Sequence, residues 1–209
     1  MLQAVEWPEL SRSYRLAGWE FDHHVASEDV LRVAGQLPEP PGVERGSARW
    51  TEWMLGRVSA TQAAVRAGVV DPVIATSASG APFLIGSDVG VSIAHTPGIA
   101  VAVAGPSAIG VDVERIDRDV SRLVRALGPG ERDIAFSTGV IGALVAKEAV
   151  AKATGMGLGG SLARWPLLDA ELSGPHPILH VATPDERILA AQLIPWKDFV
   201  VGVALSPRA

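Results

Sequence analysis

Two short apolar runs limit what this chain can fold into. Ile99-Ala-Val-Ala-Val-Ala104 and Val200-Val-Gly-Val-Ala-Leu205 carry no polar residue and are rich in β-branched and small side chains. Runs of that length and composition read as strands. Pro97-Gly98 stands between the first run and the strand-like segment 91–95, as a hairpin turn would. Each run also closes a series of the same order: a long helical pattern, several strand-like pieces, then the apolar strand. The repeat suggests a duplicated α+β unit, with subdomains over 1–105 and 106–209. It would place a small-molecule site in the cleft between the halves.

The helical patterns have recognisable ends. The Pro-rich stretch 37–42 is a loop, because successive prolines fix φ and remove donors. Ser47 is a suitable N-cap for a helix whose apolar residues Trp50, Trp53, Met54, Val58, Ala64 and Val65 recur at helical spacing before Gly68. A second long helix is expected over 140–154, stopped by Gly155. A short helix is expected over 121–127, ended by Gly128-Pro129-Gly130. Strands are expected at 73–75, 83–85, 91–95, 99–104, 109–114, 178–182, 187–194 and 199–205. Residues 1–46 give little beyond their turns.

Composition removes several function classes. With 48% hydrophobic residues and mean hydropathy +0.26, the 209-residue chain can build a core. A net charge of −5 disfavours general nucleic-acid binding. The absence of cysteine excludes disulfides, thiolate zinc sites, iron–sulfur clusters and cysteine nucleophiles. It also suits a reducing compartment. The N-terminal residues lack a basic and then apolar signal pattern, and no apolar run approaches a membrane span. The expectation is a soluble cytoplasmic protein without a membrane or nucleic-acid partner.

Three groups of residues could carry chemistry. Asp112 and Glu114 lie two apart in a strand and so share a face. Two carboxylates aimed at one point repel unless a cation joins them, and hard oxygen donors suit magnesium. Glu148 and Lys152, at i and i+4, share a helix face, and Lys147 could flank the same pocket. A carboxylate between ammonium groups can take a proton while the lysines hold phosphates. His95, ending Ser92-Ile-Ala-His95 before the hairpin turn, could donate to a phosphate. Taken singly, each has a plainer reading: a solvated strand end, a surface ion pair, an edge histidine. Other patterns fail on context. The glycine-rich 155–160 follows a helix rather than a strand, so it lacks a dinucleotide setting. His23 and His24 cannot face one metal in extended chain, and Pro175 and Pro177 oppose a helix that would join His176 to His180.

Together the pieces resemble the 4'-phosphopantetheinyl transferase superfamily, in its long, surfactin-synthetase-activating form. Gly110-Val-Asp-Val-Glu114 is similar to its Gly-x-Asp-x-Glu motif, and Lys147-Glu-Ala-Val-Ala-Lys152 to its Lys-Glu-Ala-x-x-Lys motif, 33 residues apart. Ser92-Ile-Ala-His95, Trp53-Met-Leu-Gly-Arg57 and Gly80-Ala-Pro82 are similar to its Ser-His element, first-helix stretch and Gly-Lys-Pro turn. The resemblance spans about residues 45–160. It implies a monomeric pseudo-dimer of two α+β halves that moves the phosphopantetheine arm of coenzyme A to a serine of an apo acyl or peptidyl carrier protein. Adenosine 3',5'-bisphosphate would leave. It implies magnesium (or manganese) on Asp112, Glu114 and Glu148, with Glu148 as base. Lys147 and Lys152 would meet the diphosphate, and Lys152 would stabilise the leaving charge. Ser92 and His95 would contact coenzyme A. Arg45, Arg49 and Arg57 would serve the 3'-phosphate or the first-helix scaffold. Thr61, Ala81, Ala94 and Leu144 depart from the pattern, and two of these remove positive charge from the expected coenzyme site. The alternative is a degenerate relative that binds a carrier protein or coenzyme A without transfer.

Overall fold

The computed structural model describes residues 1–7, 13–22, 25–35, 37–106 and 108–206. The pair His23-His24 lies outside them. The chain is α+β and divides into two units, Met1–Pro106 and Ser107–Ala209.

In the first unit, β1 (Leu2–Ala4), β2 (Arg15–Phe21), β5 (Gly90–Thr96) and β6 (Ile99–Gly105) form an antiparallel sheet in the order β1-β2-β6-β5. Helix α1 (Ser27–Ala34) precedes the long helix α2 (Ala48–Arg66), whose Ser47 side chain accepts from Trp50 N at 3.1 Å. That bond satisfies one of the donors a helix start leaves open. Trp50, Met54 and Leu55 of α2 pack with Phe21, Val30 and Ala100, and Ala60, Ala63 and Ala64 with Ala17, Ala102 and Ala104. Burying each larger side chain contributes roughly 1.5–3 kcal/mol. Strands β3 (Ile74–Thr76) and β4 (Pro82–Leu84) pair separately, joined by a turn that contains Gly80 at φ +85°.

In the second unit, β7 (Ile109–Arg115), β8 (Leu167–Glu171), β9 (Ile178–Ala182), β10 (Ile188–Trp196) and β11 (Phe199–Leu205) form a sheet in the order β7-β11-β10-β9-β8. Helices α3 (Ser121–Ala126) and α4 (Pro129–Thr138) precede the long α5 (Val140–Ala153). Ala146, Ala149, Val150 and Ala153 of α5 share a core with Leu179, Val181, Leu189 and Leu193 of the sheet. Gly128-Pro129-Gly130 proves to be a helix start as well as a stop. Proline suits the first helical position, and the Glu131 side chain accepts from Gly128 N at 2.7 Å. No single helix among the described residues is long and apolar enough to cross a membrane.

In both units the long helix packs on a strand and a hairpin that pair in a corresponding register. In each, a strand pairs with the second strand of a two-residue hairpin, Pro97-Gly98 in one and Lys197-Asp198 in the other. Counting from those turns, Ala102 corresponds to Gly202, and their cross-strand partners Ala17 and Asp112 correspond to each other. The long helices align through Gly56 and Gly142, where an added Cβ would lie 2.8 Å from Ile93 and Leu193 respectively. Arg66 then corresponds to Lys152. Each donates to the equivalent strand carbonyl: Arg66 to Leu16 O at 2.7 Å, Lys152 to Val111 O at 3.0 Å.

Candidate functional site

The site that the second unit builds rests on one glycine. Gly110, Asp112 and Glu114 share the face of β7 that packs on α5. A Cβ on Gly110 would come within 1.9 Å of Ala149 O and 2.5 Å of Ala153 N. Only glycine lets the helix backbone approach so closely, and the approach presents Glu148 and Lys152 of α5 to Asp112.

Lys152 Nζ donates to Asp112 Oδ1 at 2.8 Å, while the buried Oδ2 makes no hydrogen bond. A buried carboxylate oxygen left without a hydrogen bond is costly. Burial pushes the Asp112 carboxyl up, against the opposing charge and hydrogen bond of Lys152. Burial likewise pushes Glu148 up to about 7, with the negative charge of Asp112 adding to it and Lys152 and Arg118 opposing. A carboxyl that titrates near neutrality can accept a proton in one step and return it in another. Glu114 lies at the solvent end of the strand and is ion-paired with Arg118.

The three acids do not stand as a ligand set: among the described residues no group of three or more His, Asp or Glu side chains is arranged to hold a metal. Their charges are met instead by Lys152 and Arg118. Asp112 Oδ2 and the Glu148 carboxyl nevertheless offer the hard, anionic oxygens a divalent cation takes, and the Oδ2 atom lacks any other partner.

Lys147 does not flank this pocket. Successive helical residues are about 100° apart, and that turn carries Lys147 into the core, with no exposed surface. It is ion-paired with Glu131 of α4 and donates to Leu162 O at 3.3 Å. Glu131 also accepts from Leu167 N at 2.8 Å, so one buried pair ties together α4, α5 and β8. Removing one partner of such a pair costs about 3–5 kcal/mol, because the other is left buried and charged. Lys147→Ala should therefore lose about that much in urea unfolding, and Lys147→Met with Glu131→Gln should recover much of it. Burial alone would raise Glu131, but the bonds from Lys147, Leu167 N and Gly128 N hold it below the usual carboxylate range. A depressed folded value stabilises above about pH 4.3, the ordinary glutamate value, and the gain is lost as pH falls through the folded value. The urea midpoint should fall on acidification more steeply in the wild type than in the double variant.

The remaining predicted residues lie in the first unit. His95 is exposed at the end of β5, its Nδ1 3.3 Å from Glu52 Oε2 on α2. Ser92 is buried on the opposite face of the strand, so the two do not serve one contact. Arg57 is buried, donates to Ala75 O at 3.3 Å and Thr76 Oγ1 at 2.5 Å, and lies 5.0 Å from the Trp53 ring centre. It therefore belongs to the scaffold that holds β3 on α2. Arg45 is exposed and 3.4 Å from Glu39, and exposed Arg49 lies one turn before Glu52 on α2.

Glu52, Arg118 and Glu131 were not anticipated as partners. For Glu131 a signal existed, a Gly-Pro-Gly-Glu helix start. Arg118 stands four residues after Glu114, a local spacing of opposite charges, whereas Glu52 meets His95 across elements and leaves no signal. No family model matches the chain, and no curated protein matches it at a significant level.

Proposed function

We propose that the chain is a 4'-phosphopantetheinyl transferase, moving the phosphopantetheine arm of coenzyme A to a serine hydroxyl of an apo carrier protein. The single observation that carries this reading is the meeting of buried Asp112 with half-buried Glu148 and Lys152 over Gly110. On this reading the two units are halves of a pseudo-dimer within one chain, and a monomer suffices for activity.

A divalent cation, magnesium by the oxygen donors, would be held by Asp112, Glu114 and Glu148, with Arg118 released from Glu114. It would supply neutralisation of the diphosphate. Glu148 would take the proton of the carrier serine as its oxygen bonds to the phosphorus on the pantetheine side. The bond from that phosphorus to the bridging oxygen breaks, and the electron pair leaves with adenosine 3',5'-bisphosphate. The Lys152 ammonium, held by Val111 O and Asp112, would stabilise the charge that develops there. His95, steadied by Glu52, and Arg49 would meet the outer phosphates.

The burial of Lys147 favours a second reading, since it withdraws one cation from the pocket in addition to those absent at Thr61 and Ala81. A degenerate relative would bind without transfer. Incubation with coenzyme A, magnesium and a panel of apo carriers separates the two, read by carrier mass. Gain of one phosphopantetheine arm is expected. Binding of carriers or coenzyme A with no mass gain on any of them would overturn the transferase reading.

A further inference from the structure

Arg118 stands where a cation is needed at the candidate site. Strand β7 ends at Arg115, and the chain turns at once: Ile116 N donates to Asp198 O at 2.9 Å and Arg118 N to Arg115 O at 3.3 Å. The turn brings Arg118 back beside the strand, where its guanidinium is ion-paired with Glu114. Its charge reaches the other two acids as well. Burial pushes the Asp112 and Glu148 carboxyls up, and the charge of Arg118 is among those that oppose the push on both. The nearer arginine in sequence is committed elsewhere. Arg115, one step along the strand from Glu114, donates to Asp117 Oδ1 at 2.9 Å and Oδ2 at 2.7 Å.

Three carboxylates gathered at one place repel unless positive charge lies among them. Lys152 and Arg118 supply it, and they are held with unequal firmness. Lys152 is fixed by bonds to Val111 O and Asp112 Oδ1. Arg118 stands on a turn with 45% of its side chain exposed, against 16% for Glu114. An ion pair with so exposed a member is weak, because water and salt screen it. A divalent cation at Asp112 and Glu148 would repel the guanidinium and compete with it for Glu114. The pairing of Glu114 with Arg118 also gives a physical reason why the three acids do not stand as a ligand set.

We propose that Arg118 is a resident counter-cation, which holds Glu114 while the divalent ion is absent and swings out to solvent when the ion binds. The inference rests on the metal assignment made above and adds that metal loading is a competition within this chain. The full chain, freed of metal, would be titrated with Mn²⁺, the free ion being read by electron paramagnetic resonance. The wild type is expected to bind saturably. Arg118→Gln should tighten binding at least about threefold, since it removes both a competitor and a repelling charge. Arg122→Gln removes the same charge from the exposed face of α3 and should stay within about twofold of the wild type. In a Glu114→Gln chain, which lacks the contested carboxylate, substituting Arg118 should change the affinity by less than about twofold. Melts in chelator check that each variant folds, and by linkage Mn²⁺ should raise the melting temperature of Arg118→Gln more than that of the wild type. Equal or weaker binding by folded Arg118→Gln would overturn the proposal and leave the metal assignment standing. A gain that persists undiminished in Glu114→Gln would also overturn it, because a general field rather than the contest for Glu114 would then be at work. Absence of saturable binding in every chain would remove the metal assignment itself, and this proposal with it.

Discussion

Glu148→Gln is expected to lower phosphopantetheine transfer by about 10²–10⁴-fold, the range for a positioned proton acceptor, while making the fold more stable at high pH. The two effects have one cause. The Glu148 carboxyl is pressed into partial burial beside Asp112 and pushed up to about 7. Its ordinary value in an unfolded chain is about 4.3. A raised folded value means that stability is full below pH 4.3 or so and declines as pH rises toward and through 7. Glutamine keeps the size and cannot ionise, so it escapes that decline. Thermal melts in chelator should place the variant above the wild type at pH 8 and level with it near pH 4.5. A variant that melts below the wild type at pH 8 would show that the carboxylate serves the fold, and the assignment of Glu148 as base would lose its support. Such opposition between stability and activity is what a group held for chemistry produces.

The elements that could be read from the sequence are those whose own residues pay for them. Ser47 announces α2 through a bond made three residues away, and the apolar strands 178–182 and 199–205 begin and end where their composition does. The elements that escaped are amphipathic or short and depend on distant partners. Strand β2 lies inside the sheet only because β6 takes its far edge, and α1 has a non-capping Ala26 before it. Helix α4 was hidden because Gly-Pro-Gly ends one helix and begins the next.

The same division runs through the candidate site. Asp112 with Glu114 and Glu148 with Lys152 are pairs within one strand and one helix, where spacing alone fixes a shared face. Which way a helix face turns is a tertiary matter. The spacing places Lys147 beside Glu148, yet its side chain points into the core, where it pairs with Glu131. Ser92 and His95 form one motif in the sequence, but an odd separation in a strand puts them on opposite faces. Arg57 could not be told from Arg49 until the carbonyl of Ala75 and the ring of Trp53 were in view.

Gly110→Ala is expected to be the most damaging single methyl that can be added to the second unit. The new Cβ would meet the backbone of α5, at Ala149 O and Ala153 N, and backbone cannot rotate away as a side chain can. The helix must retreat from β7. A retreat opens the core between Ala149, Ala153 and the sheet and also withdraws Glu148 and Lys152 from Asp112. Overpacking of a core costs about 1–3 kcal/mol, and a clash borne by backbone on both sides belongs at or above the top of that range. Gly130→Ala is the matched control: a Cβ there meets nothing within 4 Å, and in the first turn of α4 it should be neutral or stabilise by up to about 1 kcal/mol. Urea unfolding of both variants measures the difference. Transfer assays should follow the same order, with Gly110→Ala inactive even where conditions keep it folded, because the helix that carries the acceptor and the ammonium group no longer reaches the strand. If Gly110→Ala unfolds with the wild-type midpoint, the close approach of α5 to β7 is not what positions Glu148 and Lys152.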